Sequence, residues 1–117
     1  MRIINLQQFI RLPRGVLYTK FEPDVFFQIA IKEDSITETN DWLYQDLLEI
    51  KSTDSVELDE ILSKAVENGD SFELNYECLT RDGLFKSDQL FAVFEKEDVK
   101  SLIKRLNETL DSYPEIE

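Results

Sequence analysis

The sequence predicts one α+β domain, a mainly antiparallel sheet of four to five strands with two main helices packed on one face. Three observations predict it. The chain has 117 residues, enough for one core, whereas two cores of about 60 residues each would be marginal. Its residues are 42% hydrophobic and 11% aromatic, too apolar for a chain that cannot offset its own conformational entropy. Apolar positions recur with period two in some stretches and period 3.6 in others. Residues 1–117 are therefore read as a single acidic domain.

The elements follow in order. Arg2–Ile4 begins a strand. Asn5 is a helix cap and Gln8 stands three residues on, as in a capping box. Leu6, Phe9 and Ile10 form the buried stripe of a short helix that stops before Pro13. Leu12-Pro13-Arg14-Gly15 is a turn. Val16–Phe21 is rich in β-formers. Val25–Lys32 is a second strand, with Val25, Phe27, Ile29 and Ile31 on one face and Phe26, Gln28, Ala30 and Lys32 on the other. Glu22-Pro23-Asp24 joins the two as a hairpin.

Glu33–Asn40 is polar and reads as a loop. In Asp41–Lys51 strands are expected at Trp42–Tyr44 and again at Leu47–Ile50. Asp54–Asn68 is a helix: Asp54 caps it, Glu57 takes the matching third position, and Leu58, Ile61, Leu62, Ala65 and Val66 form its stripe. Gly69 ends it. Ser71–Thr80 alternates as a strand, with Phe72, Leu74, Tyr76 and Cys78 inward. Arg81-Asp82-Gly83 is a turn. Leu90–Phe94 is an uninterrupted apolar run and so a central strand. Glu97 and Asp98 favour the start of a last helix, and Val99, Leu102, Ile103, Leu106 and Leu110 form its stripe up to Pro114.

The residue counts bear on chemistry. There is no histidine, which removes the usual neutral-pH base, the Ser-His and Cys-His pairs and the commonest zinc ligand. The one cysteine, Cys78, reads as a buried core thiol and fits a reducing cytoplasm. Neither a leader-like segment nor a membrane span of about 18 apolar residues is evident. Phosphate-binding glycine loops are absent. Asn68-Gly69-Asp70 and Arg81-Asp82-Gly83 lack the alternating oxygen ligands of a calcium loop. Asp41…Glu49-Ile50-Lys51 has the form of a metal-dependent nuclease site. However, acid-x-Lys pairs are expected by chance in so acidic a chain, and a second stands at Asp98-x-Lys100. No cofactor is expected.

What remains is charge. With 25 acidic and 13 basic residues the formal charge is −12, which argues against direct nucleic-acid binding through phosphates. Residues 1–20 hold four cations and no acid, while Glu33–Glu60 holds ten acids and only Lys51. Such a region either serves solubility or faces a basic groove on a partner, where it can imitate spaced phosphates. The partner-binding candidates are Asp41, Trp42, Tyr44, Asp46, Glu49, Glu57, Asp59 and Glu60, the two aromatics serving as anchors. Arg14, Tyr18 and Arg81 form a further patch if the Pro13 and Gly83 turns adjoin.

Leu12–Tyr18, Lys20-Phe21-Glu22-Pro23, Ile31-Lys32, Tyr44–Leu47, Arg81–Phe85 and Asp88–Val99 together resemble small uncharacterised proteins encoded by tailed phages and prophages. The resemblance implies a protein made in the cytoplasm of a bacterial host, and it carries over no catalytic residue.

The expected function is thus non-enzymatic binding of a host or phage protein, with inhibition of a nucleic-acid-binding host factor as its sharpest form. One alternative is an accessory or assembly module, able to form a homo-oligomer, whose acids serve only solubility. The other is a small metal-dependent enzyme using clustered carboxylates.

Overall fold

The computed structural model describes residues 1–23 and 25–116. Among these residues there are six strands and three helices: β1 (Arg2–Asn5), α1 (Leu6–Arg11), β2 (Val16–Glu22), β3 (Val25–Ile36), β4 (Asp41–Asp46), α2 (Ser55–Asn68), β5 (Thr80–Arg81), β6 (Leu90–Val93) and α3 (Lys96–Asp111). One sheet holds all six strands in the order β1-β6-β2-β3-β4-β5, and every pairing is antiparallel. The α+β class is as the sequence predicts, with one or two more strands and with the short first helix beside the two main ones. No helix among the described residues is long and apolar enough to cross a membrane.

Local chemistry explains the first turn of the chain. Asn5 accepts a hydrogen bond from the Gln8 N–H at 2.8 Å, and Gln8 accepts one from the Asn5 N–H at 2.9 Å. This reciprocal box lets β1 pass straight into α1, which buries Leu6, Phe9 and Ile10 on the sheet. Gly15, at φ 92°, makes the turn into β2 that residues with a Cβ disfavour. Glu22 pairs with Val25 across the hairpin; Asp24 and the Val25 side chain lie outside the described residues.

The core is aromatic. Phe9 stacks on Phe91 at 3.9 Å between ring centroids, and Trp42 meets both edge-on. Trp42 Nε1 donates to the Tyr18 hydroxyl at 2.8 Å. Ile4, Leu6, Ile10 and Ala30 complete the cluster. β6 lies between β1 and β2, which suits its unbroken apolar run. On β3 the inward positions are Ala30 and Lys32, not the isoleucines. Lys32 is fully buried because all three ammonium hydrogens find acceptors: the Leu12 and Glu33 carbonyls at 3.0 Å and Ser35 Oγ at 2.9 Å.

Several expectations need correction. The expected loop at Glu33–Asn40 is strand as far as Ile36, because Ser35 and Ile36 pair with Trp42 and Asp41. A single 3-10 turn, Thr37–Thr39, and Asn40 at φ 53° then reverse the chain. The first strand expected in 41–51 forms as β4, but in the second only Ile50 bridges, to Leu74. Of the strand expected at Ser71–Thr80 only Leu74, in a single bridge, and Thr80, the first residue of β5, pair. Two backbone hydrogen bonds around the Ile50–Leu74 bridge hold the segment, Lys51 N–H to the Glu73 carbonyl and Asn75 N–H to the Glu49 carbonyl, and the Gln45 side chain adds two more, donating to the Asn75 carbonyl and accepting from the Cys78 N–H. Phe72 and Tyr76 are accordingly exposed, and Cys78 is half-buried rather than a core thiol.

The helix that seals the core is the short α1. The two long helices form where expected, but neither contains a buried residue. Asp54 accepts from the Glu57 N–H at 2.8 Å to cap α2, and Gly69 closes it at φ 71°.

Candidate functional site

Strand register places Tyr18 opposite Ala30, Ala30 opposite Asp46 and Lys32 opposite Tyr44. Side chains two apart on a strand share a face, so Tyr18, Lys20, Ala30, Tyr44 and Asp46 all belong to the face that carries the core. α1 covers one end of this face. The other end is an open cleft of about 460 Å³ lined by Tyr18, Lys20, Phe27, Gln28, Ala30, Tyr44, Asp46 and Asp82. A register shift between β2 and β3, next to Lys20, brings Phe27 and Gln28 to the rim. Beyond Lys20 and Phe27 a second depression, also about 460 Å³, continues over Glu22, Gly83, Leu84, Phe85, Lys86 and Gln89.

The cleft is held by fixed pairs. Lys20 Nζ lies 2.8 Å from Asp82 Oδ1, donates to the Leu84 carbonyl at 2.6 Å and sits 5.8 Å from the Trp42 ring centroid. Asp82 Oδ2 also accepts from the Leu84 N–H. The turn that presents Asp82 is anchored by Asp41. That buried carboxylate accepts from Arg81 Nε, the Gly83 N–H and the Trp42 N–H. Burial by itself raises the Asp41 pKa, but these three donors and the Arg81 charge outweigh it and hold the group below its ordinary 3.8. Asp46 accepts from the Leu48 N–H through Oδ1. One ammonium therefore faces two carboxylates, and the cleft has a net negative charge.

Two phenols stand on its floor. Burial pushes the Tyr18 pKa up, the Trp42 hydrogen bond opposes this, and Asp82, Tyr44 and Asp46 push it further up. Tyr18 accepts from Trp42 and has no acceptor for its own hydrogen among the described residues. Burial likewise raises Tyr44, with Asp82, Asp46 and Glu49 adding to it. Both hydroxyls stay protonated at neutral pH and can donate.

The eight residues expected to bind a partner do not form one surface. Tyr44 and Asp46 are in the cleft. Asp41 and Trp42 are buried beneath it, Asp41 as an anchor and Trp42 as core. Glu49 lies beside Cys78, with 3.9 Å between carboxylate and Sγ. Glu57 accepts from Thr53 Oγ1 at the start of α2, and Asp59 and Glu60 are exposed on that helix. Arg14, Tyr18 and Arg81 form no patch: Arg14 pairs with Glu33, Arg81 with Asp41, and Tyr18 is buried. Lys20, Phe27, Gln28 and Asp82 were not candidates from sequence. Only the Asp82 turn gave a signal, and its pairing with Lys20 spans 62 positions. Among the described residues no three acids or cysteines come together as metal ligands.

No protein family, curated protein or solved structure matches this chain.

Proposed function

We propose that the protein is a non-enzymatic binding module that engages an exposed segment of another protein, of host or phage origin, in the groove over Tyr44 and Lys20. The observation that supports this most is the cleft's composition: aromatic and aliphatic walls, phenol donors on the floor, and one more carboxylate than ammonium. A basic side chain with a long stem, Arg or Lys, satisfies all three. Its head reaches Asp46, its stem lies against Tyr44 and Phe27, and the cation gains from the ring faces. The second depression, beyond Lys20, receives the residues that follow. A volume of this size suits one or two side chains.

This reading narrows the broader expectation of an acidic mimic. The acids of 33–60 are dispersed between core, cleft and α2, so they do not offer evenly spaced charge. Binding by one partly enclosed ion pair weakens gently with salt, whereas a multi-site electrostatic contact weakens steeply. Such a module would act in the cytoplasm of a bacterial host, as the resemblance to phage proteins implies.

The direct test is an amide NMR titration of the labelled protein with Nα-acetyl-arginine amide and the lysine analogue. Shifts should concentrate at Ala30, Tyr44 and Asp46, and Asp46→Asn and Tyr44→Ala should each abolish them. Uniform or absent shifts at millimolar ligand would defeat the proposal.

A further inference from the structure

The molecule exposes more surface than its mass requires. Its accessible area is 8787 Å², against about 6,600 Å² for a compact monomer of 13.8 kDa. Its radius of gyration is 16.6 Å, against about 13 Å for a packed chain of this length. Part of the apolar excess lies on α3, where Ile103, Leu106 and Leu110 are 53%, 57% and 70% exposed.

We propose that α3 is a homodimer interface whose occupant is α3 of a second copy, antiparallel across a two-fold axis between Ile103 and Leu106. Three features single out a second copy. The first is register. Val99, Ile103, Leu106 and Leu110 are placed symmetrically about that axis, so reversal sets Val99 against Leu110 and Ile103 against Leu106. A two-fold interface needs such a self-complementary patch.

The second is charge. In a chain of net charge −12, α3 carries four cations (Lys96, Lys100, Lys104, Arg105) and four acids (Glu97, Asp98, Glu108, Asp111). Two copies can therefore meet there with no net charge to repel, and reversal brings Lys100 of each within two positions of Asp111 of the other. α2 carries an excess of three acids and is unsuited to pairing with itself. Antiparallel alignment also opposes the two helix dipoles.

The third is area. A standard interface takes about 800 Å² from each partner; the whole molecule exposes about 2,200 Å² beyond a compact monomer, and the α3 face is part of that excess. The inference is independent of the groove, which belongs to the sheet.

Sedimentation of the whole chain, followed to high-micromolar concentration, tests the proposal. The expected mass is twice 13.8 kDa, little changed by molar salt. Ile103→Glu with Leu106→Glu should give a monomer with unaltered Trp42 fluorescence, since Trp42 is buried in the sheet core. In a Cys78→Ser background, Ile103→Cys with Leu106→Cys should form a covalent dimer under oxidation, and Leu62→Cys on α2 should not. A monomer throughout, a dimer that survives the double glutamate variant, or cross-linking through residue 62 would each overturn it. An intact arginine titration at Tyr44 in such a monomer would show that only the dimer proposal had failed.

Discussion

Asp41 shows how far a residue's role departs from its composition class. By sequence it is one acid among ten in 33–60; in the fold it is the buried pin between β4 and the turn that presents Asp82. Hydrogen bonds to a charged group contribute about 1.5–3 kcal/mol each, so Asp41→Ala should destabilise by about 2–3 kcal/mol by denaturant titration. It should also weaken arginine binding in the cleft, because Asp82 and Lys20 lose their mount. The pH dependence follows from the lowered pKa. A carboxylate with a lower pKa when folded contributes fully above its unfolded value, 3.8, and loses that contribution as pH falls through the folded value. Stability should drop below about pH 4, and the drop should be shallower in Asp41→Asn.

Lys32 is the complementary case. Burial lowers its pKa, with Asp34 and Glu33 opposing, so the unfolded chain holds that proton more tightly. The group's contribution therefore improves as pH rises towards 10.5. Lys32→Met keeps the volume and removes the desolvated charge; Lys32→Ala also opens a cavity beside Phe9. The methionine variant should be the more stable of the two by roughly 1–3 kcal/mol.

At the scale of elements, caps were readable and partners were not. The box at Asn5, the cap at Asp54 and the glycine stop at residue 69 are local chemistry, and the helices begin and end where those residues stand. Losing such a cap costs about 1 kcal/mol. Because α2 has no buried residue, Asp54→Ala should fray that helix rather than unfold the sheet. Hydrogen exchange should quicken at residues 55–60 and stay unchanged in β2 and β6. The two errors in strand placement have one cause. Residues 33–35 are polar yet extended because β4 pairs with Ser35 and Ile36, and residues 71–79 alternate yet form only one bridge, at Leu74, because beyond Asn75 the Gln45 side chain takes the Cys78 N–H. Neither fact resides in the segment itself.

Over the whole molecule, stability is concentrated in one place. The core joins α1 to β1, β2, β3, β4 and β6 through Phe9, Tyr18, Trp42 and Phe91, and Phe91→Ala should cost about 3–5 kcal/mol. α2 and α3 lie outside that cluster. Unfolding followed by Trp42 fluorescence should therefore occur at higher denaturant than the loss of helical circular dichroism at low protein concentration, since elements with little burial open first. Coincident transitions would show one cooperative unit instead. Raising the concentration should move the helical transition towards the fluorescence transition if α3 pairs with itself.

The sequence by itself determined the α+β class, the helix boundaries, the central strand and the absence of histidine chemistry, because each rests on composition or on residues within one turn of each other. It showed both amphipathic stripes but not what they face, since periodicity reveals an apolar side and never its partner. Only the tertiary structure decided that Trp42 is core while Tyr44, two residues away, is on the floor of a cleft. It alone showed that Asp41 is buried and that Lys20 meets Asp82. These outcomes depend on strand register and on a turn that folds back from the far end of the chain, and such long-range closure leaves no local signature.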